Sequence, residues 1–157
     1  MNEPEAVRAV IDSNLLVRGI LGRHPKAHGA LLLEAWLHDC FALVTSDTLL
    51  DEVRRALRRP KVRALAPTMS TRMLDDAVQV IRAAAERVTG DFDVDLVPLD
   101  VKDNAVLGCA LEADAGYVVT DDRKHLLPLK VVRVAGYRPV RIVTAHLFLR
   151  LLGRGDA

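Results

Sequence analysis

The sequence predicts an α/β domain with a largely parallel sheet, and three observations carry that expectation. Short apolar runs alternate with longer stretches of helical periodicity, half of the 157 residues are apolar, and no linker, repeat or low-complexity tract breaks the alternation. A chain of this length can bury one sizeable core but is too short for two full domains. Residues 1–157 are therefore expected to form a single domain, with its core at about 8–152.

Strands are expected at 10–11, 41–44, 96–99, 117–119 and 141–143, where apolar and β-branched residues cluster. Helices are expected at 29–38, 48–58, 70–87, 104–113 and 145–152. In the second of these, Leu49, Leu50, Val53, Ala56 and Leu57 form one stripe at helical spacing. The third carries Met73, Leu74, Ala77, Val78, Ile81, Ala84 and Ala85 on a broad apolar face, part of which is expected to remain uncovered. Pro60 and Pro67 end or bend helical segments, because the residue before a proline is pushed out of the α region. A turn is expected at 89–91. The valines between 123 and 140 favour a strand while Pro128, Gly136 and Pro139 punctuate it, so that segment is left without an element.

Composition excludes some functions. With 22 basic against 21 acidic residues, the formal charge of +1 gives no bulk attraction to nucleic acid or membrane, so polyanion binding must rest on local clusters. Cys40 and Cys109 stand far apart beside apolar neighbours, the pattern of free thiols in a reducing compartment. The start of the chain lacks a signal-peptide pattern, and no apolar run approaches the roughly 20 residues that span a bilayer. A soluble, cytoplasmic protein is expected.

The acidic residues stand where α/β sheets bind ligands, at the carboxyl ends of strands. Asp12 directly follows Val10-Ile11, where a carboxylate costs desolvation energy unless it is paired or coordinating. It can alternatively be a helix N-cap, with Ser13 and Asn14 as further capping candidates. Glu52 falls at the edge of its helix's apolar stripe beside Ala56, whereas Asp51 falls towards solvent; a surface pair with Arg55 or Arg59 is the alternative. Asp103 shares a helix face with Val106, Leu107, Ala110 and Leu111, so an acid points inward; Asp100 can cap that helix, leaving Asp103 in the first turn, where a negative charge is also favoured. Asp121 and Asp122 follow the strand at 117–119, and one of them is expected to be a turn residue.

Four acids drawn from separate elements repel one another unless a cation neutralises them. Oxygen ligands favour the hard ions Mg²⁺ or Mn²⁺ over Zn²⁺. His24 and His28 have a helical four-residue spacing, but Pro25 and Gly29 argue for a surface loop, and His38, His125 and His146 are scattered. Arg54, Arg55, Arg58, Arg59, Lys61 and Arg63 form the one dense basic cluster, readable either as a nucleic-acid contact or as a solvated helix face.

The segments AVIDSNLLVRG, LLDEVRRAL, DVKDNAVLGCALEADAGYVVTDDRKHLLPL and VRIVTAHLFLRLL resemble the successive motifs of PIN-domain nucleases, in particular the VapC-like toxins of toxin–antitoxin pairs. The resemblance implies a five-stranded parallel sheet between helices. It also implies an acidic site of Asp12, Glu52, Asp103 and Asp122 holding one or two Mg²⁺ or Mn²⁺ ions, with Asn14 and Thr120 accompanying the first and last acids. RNA phosphodiester hydrolysis, a cognate antitoxin and a homodimer are implied with it. The family often has glycine between the threonine and the last acid; Asp121 stands there instead, and aspartate tolerates a left-handed backbone better than most residues. The alternatives are a non-toxin RNA-processing nuclease and a PIN-fold binding or assembly module with weak or no catalysis. Receiver and haloacid-dehalogenase-like folds do not match: the former's paired acids after the first strand and late lysine do not stand out, and the latter's acid two residues after Asp12 is Asn14.

Overall fold

In β1 (Arg8–Ile11), Ala9 and Ile11 turn to one face of the sheet and Val10 to the other, and none of the three is more than 1% exposed. This is the pattern of a strand covered on both sides, where each fully buried valine or isoleucine side chain stabilises the fold by about 1.5–3 kcal/mol. The structure, a computed structural model, describes residues 6–89 and 101–153. After β1 come α1 (Ser13–Leu21), α2 (His28–Leu37), β2 (Ala42–Ser46), α3 (Asp47–Leu57), α4 (Pro60–Arg63), α5 (Thr71–Ala84) and β3 (Glu86–Val88). Then follow α6 (Val101–Glu112), β4 (Tyr117–Val119), a 3-10 turn (Leu127–Leu129), β5 (Val131–Val132), β6 (Val140–Val143) and α7 (Ala145–Leu151).

The sheet runs β3-β2-β1-β4-β6-β5, with every neighbouring pair parallel except β5–β6. One cluster of buried side chains joins α1, α2, α3, α5 and α7 to one face, and a second joins α6 to the other. This is an α/β fold with a mostly parallel sheet between helical layers, as expected. From β1 the chain moves to one side of the sheet for β2 and returns to the other side for β4, so the order reverses between β1 and β4. Ligand crevices of open α/β sheets form outside the strand carboxyl ends at such a reversal.

Local chemistry explains the element ends. Ser46, Ser70 and Thr144 cap α3, α5 and α7, each side-chain oxygen accepting the N–H of the residue three places on. Gly22, at φ 57°, ends α1 in the left-handed conformation and donates its N–H to the carbonyl of Arg18. Where α1 meets α2, glycine is required: a Cβ on Gly29 would lie 2.6 Å from the Leu15 carbonyl oxygen, and one on Gly19 would lie 2.7 Å from that of Gly29.

Three expectations are amended. The helix expected at 70–87 stops at Ala84, and Glu86–Val88 pairs with β2. Ala83, Ala84, Ala85, Glu86 and Arg87 favour helix locally, and sheet pairing overrides that preference. The helix α1 was not among those expected; it starts directly after β1, and Gly19 weakens its local signal. Among the described residues the sheet has six strands: five parallel ones and the antiparallel edge β5, which arises in the segment left without an element. The strand expected at 96–99, Asp100 and residues 90–91 of the expected turn lie outside the described residues. Cys109 is buried, its thiol pushed up to about 12 by desolvation, and Cys40 is half-buried; neither is in a disulfide. Among the described residues, no helix is long and apolar enough to cross a membrane.

Candidate active site

The ladder of the sheet carries Asp12 and Thr120 to the reversal point. The Asp12 N–H donates to the Val119 carbonyl at 2.9 Å and the Thr120 N–H to that of Val143 at 3.0 Å, extending β1 and β4 by one residue each. Asp12 occupies the N-cap position of α1, yet its side chain does not cap that helix in the usual way. Its Oδ2 instead accepts the Thr120 hydroxyl at 2.8 Å, and the same hydroxyl oxygen accepts the Asp122 N–H at 3.0 Å. Thr120, wholly buried, thus couples the first and last acids. Asp122 Oδ1 accepts the N–H groups of Lys124 and His125 at 3.0 and 3.1 Å, which leaves Oδ2 facing the crevice.

Asp103, in the first turn of α6, is 8% exposed and comes to the same place from the opposite layer. One donor atom from each of Asp103, Asp122 and His125 lies within 4.8 Å of the others. The fourth acid, Glu52, lines the wall next to Ala56, while Asp51 is exposed and ion-paired with Arg82, the division expected from helical phase. Asp12, Glu52, Asp103 and Asp122 share a cavity of about 300 Å³ with Asn14, Arg18, Arg59, Asp121 and His125. Burial pushes the Asp12 carboxyl above its ordinary range; its bonds to Thr120 and to the Ser13 backbone pull it down, and the charges of Glu52 and Asp122 push it up further. The donor set suits a hard divalent cation, being carboxylate oxygen with one imidazole at the rim.

Asp121 and Asp122 separate clearly. Asp121 is exposed and pairs with Arg18 at 3.5 Å, whereas Asp122 faces Asp103 and His125. Asp121 does not take a positive φ, so nothing in its backbone requires the glycine of the family pattern. The basic cluster divides too. Arg54 and Arg58 pair with Asp75, and Arg63 donates to the Thr71 hydroxyl, so these three tie α3 and α4 to α5. Arg59 reaches the acidic cavity. Sequence reasoning missed His125, grouping it with the scattered histidines; its place three residues after Asp122, in a turn closed by the aspartate carboxylate, was the available signal. Arg18 was missed along with α1, where it stands one turn beyond Asn14.

The PIN-domain family profile matches residues 8–124. No curated protein matches the chain. Among solved structures, a chain in the crystal structure of VapBC2 from Rickettsia felis bound to a DNA fragment from their promoter superposes with a TM-score of 0.56. It is 13% identical in sequence, with 87% of this chain and 98% of that chain covered. The match in fold agrees with the profile, which spans most of the sheet and all four acids: the chain belongs to the PIN-domain family of nucleases.

Proposed function

We propose that this protein is a ribonuclease dependent on Mg²⁺ or Mn²⁺, with Asp12, Glu52, Asp103 and Asp122 as its catalytic acids and one or two ions among them. The convergence of carboxylates from four elements in one crevice carries this reading, since such a cluster is costly without a cation. When bound, the cation supplies Lewis acidity, activating water and offsetting charge on the phosphoryl oxygens. Asp12, Asp103 and Asp122 are the central ligands, and Glu52 completes the set from α3. Thr120 orients Asp12, and the backbone N–H groups of residues 124 and 125 orient Asp122. Arg59, on the rim, holds phosphate oxygens of the strand, with Asn14 beside it.

The biological role we infer is that of the toxin in a toxin–antitoxin pair. The fold shared with a chain of the VapBC2 structure supports it, and a basic antitoxin segment covering the four acids is the partner that fits the crevice's charge. A homodimer is part of the same proposal: α5 leaves Met73 and Val80 exposed at 51% and 57%, with Leu65 at 43% near its start. Purified protein should cut single-stranded RNA with Mg²⁺ or Mn²⁺ and stop in EDTA. Undiminished cleavage in EDTA would reject the metal reading, and a strictly monomeric particle by light scattering would reject the dimer.

A further inference from the structure

A second open cavity, of about 480 Å³, adjoins the acidic one across Asp121 and is lined by His28, Arg123, Thr144 and His146 besides that aspartate. The topology explains it. Because β6 lies beside β4, the residues leaving both strands emerge together, bringing Arg123 alongside Thr144 and His146. The packing of α2 on α7 brings in His28, the first residue of α2, and the His28 and His146 rings face one another with centroids 6.0 Å apart.

We propose that His28, Arg123 and His146 form an anion subsite holding the backbone phosphate next to the scissile one, so that the enzyme acts on a strand rather than on an isolated phosphodiester. The proposal rests on the nuclease reading of the acidic cavity. Three features favour a phosphate. The two imidazole rings lie with centroids 6.0 Å apart, a separation that one tetrahedral anion can bridge. Arg123 is exposed and makes no ion pair among the described residues, so its guanidinium is available for paired hydrogen bonds to phosphate oxygens. Among the described residues, the acid that lines the cavity, Asp121, is paired with Arg18. A further cationic contact complements the rim, because the reacting cavity is acidic and repels the polyanion it must cut, Arg54 and Arg58 are committed to Asp75 and Arg18 is paired with Asp121, leaving Arg59 to meet the strand there.

The test compares wild type with the His28→Ala/His146→Ala double variant and with Arg123→Gln. All three positions are exposed, and circular dichroism checks that each variant folds. A fluorescent single-stranded oligoribonucleotide is titrated in EDTA, and cleavage of it and of the minimal diester bis(p-nitrophenyl) phosphate is measured with Mn²⁺. Binding should weaken about tenfold in each variant, and in Arg123→Gln its salt slope should fall by about one phosphate contact. The ratio of kcat/KM for oligonucleotide over minimal diester should fall by a similar factor, through KM. Variants that bind RNA and keep this ratio within twofold of wild type would overturn the subsite. So would a polyglutamate peptide that binds wild type more tightly than the RNA does, which would assign the cavity to a protein ligand. A wild type that binds RNA, loses affinity in the variants and cleaves neither substrate would sustain the subsite while rejecting the nuclease reading.

Discussion

The carboxyl ends of β1 and β4 and the crossing of α1 with α2 both touch Leu15, yet they are built on opposite terms. At the crossing, Gly19 and Gly29 let two backbones approach until no atom can be added. At the strand ends, acids are gathered into a cavity where burial raises the Asp12 carboxyl and neighbouring charges raise it further. One region is optimised for packing, and the other gives up stability to hold charge. Substitutions should therefore act in opposite directions in the two places.

The largest expected effect is at Asp12. Asp12→Asn should lower metal-dependent RNA cleavage by about 100-fold or more while leaving the melting temperature in EDTA equal to or above that of wild type. A variant with full activity, or one that melts well below wild type, would break the contrast. Gly29→Ala should do the reverse: its Cβ meets the backbone of Leu15 and Gly19, which cannot move aside cheaply, and overpacking of this kind costs about 1–3 kcal/mol. A fall of several degrees in melting temperature follows for a chain of this size, at roughly 2–4 °C per kcal/mol. Next in size is Glu52→Gln, which should reduce cleavage far more than Asp51→Asn; by the same logic Asp122→Asn should exceed Asp121→Asn. Equal losses within either pair would refute the division between crevice and surface.

The smallest effect is in the pH dependence of stability. A carboxyl whose pKa is raised on folding binds protons more tightly in the folded state, so it favours folding below its unfolded pKa and loses that contribution as pH rises through the folded value. The excess melting temperature of Asp12→Asn over wild type in EDTA should thus be greatest near neutrality and vanish towards pH 4. A difference that grows on acidification would contradict the raised carboxyl.

The same contrast explains what could be read from sequence. Acids after apolar runs stand out because a strand end is a place where charge is otherwise costly, and helical phase separated Glu52 from Asp51 because the stripe of α3 is continuous. The pairing of β3 with β2 left no local trace, since Ala83, Ala84 and Ala85 favour the helix they terminate. Nor could composition show that Arg54 and Arg58 are held by Asp75, because ion pairs between α3 and α5 exist only once the helices pack. His125 was hidden for a similar reason: the turn that presents it is closed by the Asp122 side chain and not by a residue pattern along an element.

The way each acid is anchored has a consequence for hydrogen exchange. The amides of Asp12 and Thr120 are locked into the parallel ladder, so they should exchange only when the sheet itself opens, with protection close to that of global unfolding. The amides of Lys124 and His125 are held only by one carboxylate oxygen of Asp122 on an exposed turn, and local fluctuations release them. Half of the crevice is therefore as slow to open as the core, while the other half can re-aim Asp122 and His125 on a much shorter timescale. A cation arriving at Asp122 should slow exchange at residues 124 and 125 and leave residues 12 and 120 unchanged.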